Sequence, residues 1–282
     1  MMKHDEKINY TKLVQIAINE YKTFPIDMLG IGDESGEYTY LNNTKPTYIR
    51  TVKDIDGLLK GDRKNKKILE IGSFLGTVSV SLKRLGFDVH ALDIPEFHKS
   101  AKLRAHYKRN NIPFDSLNLR NSRLPYDSNS FDAVIICEVM EHLNFNPLPV
   151  LREINRVLKK GGKIYIGMPN QSYFLNRIRL LLGLSINNPI DDFFKQLDRK
   201  DNMIVGLHWR EYTLNETTQL VQRMGFSIIQ KYHFYYNKKD NYLKNFIQRI
   251  IFLYPPFRPF IVVVGQKVTT PNYDFFLTEA NS

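Results

Sequence analysis

The chain of 282 residues holds one cysteine, Cys137. No disulfide can form within it, and no Cys/His cluster has zinc-ligand spacing. Disulfide scaffolds and zinc-finger folds are thereby excluded. Cys137 lies in an apolar run that reads as a core strand, and a lone thiol agrees with a reducing, cytoplasmic setting. No run of about 18 apolar residues is present, so no transmembrane helix is expected. The first residues, Met1-Met2-Lys3-His4-Asp5-Glu6-Lys7, put charges where a signal peptide needs an apolar stretch. Internal repeats and low-complexity tracts are missing too. Acid is in short supply: 29 Asp and Glu stand against 40 Lys and Arg, for a net charge of +11. That balance suits an anionic partner, or simply a solvated basic surface.

Enough apolar residues are present, 43%, to bury a sizeable core. The length suits one α/β domain with additions, or at most two domains. The most informative stretch is Lys67-Ile68-Leu69-Glu70-Ile71-Gly72-Ser73-Phe74-Leu75-Gly76-Thr77. An apolar strand ends in an acid, then comes a glycine turn and a helical pattern. About twenty residues on, Val89-His90-Ala91-Leu92-Asp93 reads as a second strand ending in an acid. This is the layout of a nucleoside-binding βαβ unit, in which the second acid takes ribose hydroxyls. A dinucleotide fingerprint needs a middle glycine where the backbone meets the pyrophosphate. Phe74 stands there instead. Glu70 is poorly placed for a phosphate and well placed for an ammonium group. Both departures favour a cationic cofactor without phosphate, and S-adenosylmethionine meets that description. Without a ligand, Gly72 and Gly76 would still make a tight strand-to-helix turn.

Further along come Leu124-Pro125-Tyr126-Asp127-Ser128-Asn129-Ser130-Phe131-Asp132-Ala133-Val134-Ile135-Ile136-Cys137-Glu138-Val139-Met140-Glu141-His142-Leu143. Then follows Leu151-Arg152-Glu153-Ile154-Asn155-Arg156-Val157-Leu158-Lys159-Lys160-Gly161-Gly162-Lys163-Ile164-Tyr165-Ile166-Gly167-Met168-Pro169-Asn170. In order and spacing these segments resemble the class I S-adenosylmethionine-dependent methyltransferases, in their small-molecule branch. The resemblance is strong over 65–170. It is weaker through His208-Trp209-Arg210-Glu211-Tyr212-Thr213 and Met224-Gly225-Phe226. It implies an α/β Rossmann-like fold: a seven-stranded, mostly parallel sheet with helices on both faces.

Residues 1–62 read as an N-terminal cap over the cofactor side, with near-helical spacing over 8–30 and breaks at Gly30, Gly32 and Gly36. Residues 33–47 read as loop with short extended pieces. The cap tyrosines Tyr38, Tyr40 and Tyr48 suit packing more than substrate contact. From 63 to 282 runs the cofactor-binding domain. Its expected strands are 67–71, 87–92, 113–118, 132–138 and 162–168. The expected helices are 75–85, 96–110 and 147–158, the last stopped by Gly161-Gly162. An insertion over 171–210 interrupts the alternation. It holds a mixed Arg/Leu helix from Tyr173 to Leu182 and a charged stretch from Asp191 to Asp201. Thr213 with Glu216 reads as a capping box for a further helix. Strands at 226–236 and 260–268 follow, and the resemblance implies an antiparallel pair at the sheet edge. The segment 245–260 is amphipathic, aromatic and basic, suited either to a core helix or to peripheral contact with the inner face of an anionic membrane.

By resemblance, Glu70 and Gly72 serve the amino-acid end of S-adenosylmethionine, with Ser73, Phe74 and Gly76 in the same loop. Asp93 accepts from the ribose hydroxyls and Ile94 lies near the adenine, while Asn118 and Leu119 stand at the adenine amino group. Glu138 ends the fourth strand at the ligand mouth. S-adenosylhomocysteine is the implied product. His142 is the first candidate for a general base, because imidazole titrates near neutrality; it would otherwise cap the next loop. Glu141, His208 and Tyr212 complete the catalytic candidates, and Arg210 offers a bidentate grip on an anion. No metal is expected. The acceptor is a small or lipid-linked molecule, anionic in character. By analogy it is a bacterial surface-polysaccharide sugar or its phosphate-bearing precursor, methylated on oxygen. A quinone or lipid acceptor is the alternative, and a non-catalytic cofactor-binding protein is a third reading. A nucleic-acid substrate is not expected, because the Asn/Asp-Pro-Pro-aromatic signature is missing after the fourth strand.

Overall fold

A computed structural model describes residues 8–26, 34–59, 61–121, 123–197, 206–236 and 242–271. Gly30, Gly32, the opening seven residues and the end of the charged stretch after Leu197 lie outside them. Two helices come first, α1 (Tyr10–Glu20) and α2 (Glu34–Leu58). The alternating part follows as β1 (Lys67–Ile71), α3 (Thr77–Arg84), β2 (Asp88–Asp93), α4 (Pro95–His98), α5 (Ala101–Arg109), β3 (Phe114–Ser116), β4 (Phe131–Cys137), α6 (Leu148–Val157) and β5 (Leu158–Pro169). Then come α7 (Phe174–Leu181), α8 (Ile190–Leu197), α9 (Leu214–Arg223), β6 (Phe226–Phe234), α10 (Tyr242–Ile251) and β7 (Phe260–Lys267).

The seven strands form one sheet in the order β3-β2-β1-β4-β5-β7-β6. β1 to β5 run parallel, and β7 pairs antiparallel with both β5 and β6. The central strands are largely apolar because both sheet faces are covered. Ala133 to Ile136 of β4 are fully buried. On one face, α1, α2, α3 and α5 pack into a cluster that includes Ile18, Val52, Ile55, Leu82 and Tyr107. On the other, α6 and α9 supply Val150, Leu151, Ile154, Val157 and Val221. The stripe on α6 recurs at helical spacing, as an amphipathic helix on a sheet requires. The capping box at α9 forms in full: the Thr213 hydroxyl accepts from the Glu216 N–H, and the Glu216 carboxylate accepts from the Thr213 N–H.

The sequence reading fails at three places. Residues 34–47 are helix rather than loop, and α2 runs through Gly36 and Pro46. Its weak local propensity is overridden because Leu41, Val52 and Ile55 share one buried face in the core with α1 and α3. The cap therefore has no core of its own. Gly161-Gly162 does not stop a helix; α6 ends at Val157 and β5 begins at once. The pairing jumps from Phe131↔Leu158 to Ala133↔Lys163, so the glycines form a wide bulge inside β5. Gly161 has a φ of 75°, and a Cβ on Gly162 would lie 2.8 Å from the Lys159 carbonyl oxygen. Third, the helix expected over 96–110 is two, because Ser100 caps a fresh start at α5 with its hydroxyl on the Leu103 N–H.

Candidate functional site

The carboxyl ends of β1, β2 and β4 open into a cavity of about 770 Å³. Open α/β sheets bind ligands at this edge. The volume is large among small-molecule sites, which run from roughly 300 to 1,000 Å³. It has room for a cofactor and an acceptor together.

One end is built by two short loops. After β1 the chain turns through Gly72 (φ 74°), Phe74 (φ 46°) and Gly76 (φ 79°). A Cβ on Gly72 would lie 2.1 Å from Cγ2 of Val139, so this glycine is needed for close approach as well as for its positive φ. Phe74 holds its unusual backbone because its N–H donates to the Asp93 carboxylate at 2.6 Å. The other Asp93 oxygen accepts from the Ile94 N–H at 2.8 Å. Tyr107 donates to the Ser73 hydroxyl at 2.8 Å and closes the loop from below. Gly76 starts α3 and does not line the cavity.

Glu70 and Asp93 are both buried yet line the cavity. Burial pushes the Glu70 carboxyl up to about 8, against the stabilising bond from the Ser79 hydroxyl. It pushes Asp93 up to about 7, against the two backbone N–H bonds. The site thus holds two acids that a cation or a pair of hydroxyls would satisfy. Ile94, Asn118 and Leu119 line the same end, and the Asn118 side chain caps its own turn by accepting from the Arg120 N–H.

The other end belongs to the loop after β4. Glu138 sits at φ 54° and burial pushes its carboxyl up to about 7. A 3₁₀ turn over Met140–His142 then brings Glu141 and His142 inward. His208 reaches the same point from beyond the insertion; its ring centroid is 4.9 Å from that of His142. One donor atom from each of Glu141, His142 and His208 lies within 4.8 Å of the others. His142 Nδ1 is 2.8 Å from the Leu207 carbonyl oxygen, and His208 Nδ1 is 3.0 Å from Glu211 Oε1. Burial lowers the His142 imidazole to about 4, so it stays neutral at physiological pH and makes a weak base by itself. Glu141 is fully buried, and burial followed by the neighbouring Glu138 charge drives its carboxyl far upward.

Two expected residues fall elsewhere. Tyr212 is buried in the core beside α9, where its ring packs under Arg210, and it does not line the cavity. Its apolar ring is worth more in that core than its hydroxyl is at the site. Arg210 is exposed and pairs with Glu216 on the capping box, so it cannot grip a ligand in the cavity. Sequence reasoning set the cap over the cofactor side but put Tyr40 and Tyr48 down to packing, and it did not name Thr44, Thr51 or Arg120. Tyr40, Thr44, Tyr48 and Thr51 of α2 line the cavity, as does Arg120. The apolar spacing of 41, 52 and 55 was the available signal for that helix.

Residues 69–166 match the family model described as a methyltransferase domain. A ubiquinone biosynthesis O-methyltransferase of Xanthomonas oryzae pv. oryzae is 29% identical over 133 residues, covering 47% of this chain and 52% of that protein. The protein of the same name from Pelagibacter ubique is 27% identical, covering 50% and 60%. The chain therefore spans about half the length of the curated relatives it matches. Among solved structures, an S-adenosylmethionine-dependent methyltransferase of Methanosarcina mazei superposes with a TM-score of 0.53 at 19% identity, over 76% of this chain and 97% of that one. One from Mesorhizobium loti gives 0.51 at 15%, over 76% and 96%. The fold is the Rossmann-like fold of these solved methyltransferases, and the stretch similar to a methyltransferase domain runs from β1 into β5.

Proposed function

We propose that this chain methylates a hydroxyl oxygen on the ring of a quinone-type or related lipid acceptor. The observation that carries the reading is one cavity lined by Glu70 and Asp93 at one end and by His142 and His208, with the buried Glu141 behind them, at the other. S-adenosylmethionine supplies an activated methyl group on a sulfonium that leaves as a neutral thioether. Glu70 fits the cofactor's ammonium, because a buried acid without a cation is stabilised by one. Asp93 still has lone pairs for both ribose hydroxyls after taking two backbone N–H groups. Phe74, edge-on to Tyr40 at 5.8 Å between ring centroids, closes the loop over them.

Methyl transfer asks the protein mainly to align three atoms and to exclude water. Tyr40, Tyr48 and Phe74 give the cavity an aromatic wall suited to a ring acceptor. The acceptor oxygen must lose its proton, and Glu141, His142 and His208 are the polar groups gathered where it would sit. The relatives named for ubiquinone biosynthesis support the quinone alternative over the polysaccharide acceptor expected from the sequence.

The exposed faces of α7, α8 and α10 suit an acceptor taken from an anionic lipid layer. Leu181, Leu182, Phe194, Phe246 and Leu253 are all more than half exposed on or beside α7, α8 and α10. Arg177, Arg179 and Arg249 are exposed among them, as an interfacial basic-apolar surface requires. Among the described residues no helix is long and apolar enough to cross a membrane.

The test is incubation with methyl-labelled S-adenosylmethionine and a catechol that carries an apolar tail. Label in a methyl ether, matched one for one by S-adenosylhomocysteine, is the expected result. Label reaching only a phosphorylated glycan precursor would overturn the quinone reading.

A further inference from the structure

We propose that the arm of the cavity beyond β4, between α2 and the face of β5, β7 and β6, is a slot for the apolar chain of the acceptor, kept open by Gly167. The identity of the ligand rests on the lipid-acceptor reading above; the slot itself is read from its lining.

The first observation is reach. Residues of β2, β1, β4, β5, β7 and β6 all line the one cavity, from Asp93 at one side to Phe234 at the other. Neighbouring strands lie about 4.8 Å apart, so six of them span roughly 24 Å. The cofactor loops take up the ends of β1 and β2. Beyond β4 three strand spacings remain, about 14 Å, more than the reacting ring alone requires.

The second observation is the floor. Cys137, Gly167 and Val262 are register partners across β4, β5 and β7, and Phe260 pairs with Phe234 in the next row on the same face. The Phe234 and Phe260 rings stack at 5.1 Å between centroids, and Tyr236 stacks on Phe260 at 5.6 Å. Val262 and Tyr165 are buried at the deep end, while Phe234, Tyr236 and Phe260 are half-buried at the outer edge. Gly167 is the gap in this floor. A Cβ there would lie 3.1 Å from Cys137 Sγ. Strand side chains stand perpendicular to the sheet, so a larger residue at 167 would fill the arm.

The third observation is the roof. Thr44, Thr47, Tyr48 and Thr51 line the arm from one face of α2. Their donors are mostly spent at home. The Thr44 hydroxyl donates to the Tyr40 carbonyl oxygen at 3.0 Å, and Thr47 to the Thr44 carbonyl oxygen at 2.6 Å. Thr51 Oγ1 lies 3.9 Å from Cys137 Sγ. Tyr236 donates to the Asn43 carbonyl oxygen at 3.4 Å. Tyr165 and Tyr232 both donate to the Asp54 carboxylate, which pins the roof to the sheet.

The lining selects the ligand. Among the described residues that line the arm, none is charged beyond Glu138 at its mouth, and Arg120 stands at the cofactor end beside Asn118. A phosphate or a sugar would lose its water in the arm and gain few bonds in return. A hydrocarbon chain gains with every methylene that leaves water. With its chain in the arm, the acceptor keeps its ring at His142 and His208, which line the same cavity.

The full chain, saturated with S-adenosylhomocysteine, is titrated by calorimetry with catechols that carry unbranched alkyl tails of increasing length. Binding should be one-to-one, tighten roughly fourfold per added methylene, and level off once the arm is full. Gly167→Val and Val262→Phe fill the arm and should each weaken binding of the longest chain by more than tenfold. Cofactor titration and circular dichroism report that the variants are folded. Two results overturn the slot: affinity that ignores tail length in the wild type, or an unchanged length series in both folded variants. The second result would place the tail on the exposed apolar faces of α7 and α10. If tailed catechols bind as expected and no methyl ether forms, the slot stands and the oxygen-methylation reading falls. Methyl ethers formed equally well on tailed and tailless catechols would keep that reading and overturn the slot.

Discussion

The cofactor end and the acceptor end of the cavity are assembled in opposite ways. The cofactor end comes from residues 70–76 and 93–94, two loops after adjacent parallel strands. Its key bonds are short-range: Phe74 N–H and Ile94 N–H both donate to the Asp93 carboxylate. The acceptor end joins α2, the loop after β4 and His208, segments more than sixty residues apart in sequence. The first can be specified by a compact motif. The second exists only after tertiary packing has placed a helix of poor propensity and returned the chain past its insertion. The contrast teaches that a shared binding loop can be kept while acceptor chemistry is changed by elements that meet it from afar.

The sharpest way to break that division is to damage each end alone. Asp93→Ala removes the acceptor of the ribose hydroxyls and leaves two backbone N–H groups unpaired. Cofactor affinity should fall by roughly 100-fold, about 3 kcal/mol, read by calorimetry. Gly72→Ala forces a Cβ into Val139 at positive φ; urea unfolding should show a loss of about 2–4 kcal/mol. Val139→Ala in the same chain should restore part of it.

His208→Ala strikes the acceptor end. Turnover should fall roughly 10–100-fold while cofactor affinity changes less than about twofold.

Titration sharpens the comparison further. The folded-state values of Glu70 and Asp93, about 8 and about 7, stand above their ordinary values. Their contribution to stability is complete in acid and is lost as pH rises through those values. Without cofactor, the melting temperature should fall progressively from about pH 4 to about pH 8 and level off above that. S-adenosylmethionine favours the ionised acids, so its affinity should rise over the same window, with proton release detectable in buffers of different ionisation enthalpy.

The smallest effect on the fold is expected from Phe246→Ser with Leu253→Ser. Both side chains are exposed, so stability should change by less than about 0.5 kcal/mol. Flotation with anionic vesicles should nevertheless fall several-fold.

The same asymmetry governs how much could be read from the sequence. The parallel strands were legible because apolar runs ending in acids and glycine turns are local signals. Thr213 and Glu216 announced their helix for the same reason. The helix through Gly36 and Pro46 was not legible, since its stability comes from α1 and α3 rather than from its own residues. Tyr212 looked catalytic beside His208, yet one step along the chain turned its ring into the core. His142 was found by its neighbours in sequence, but its burial, which weakens it as a base, appears only in three dimensions. The orphan state of Glu141 is likewise a property of packing.

The most direct measurement of the two-ended account is a calorimetric titration with S-adenosylmethionine of the wild-type chain, Asp93→Ala and His208→Ala, side by side. The account predicts one-to-one binding in the wild type and in His208→Ala, at nearly equal affinity, and a collapse of binding in Asp93→Ala. Equal losses in both variants, or no binding by a folded wild-type chain, would contradict it.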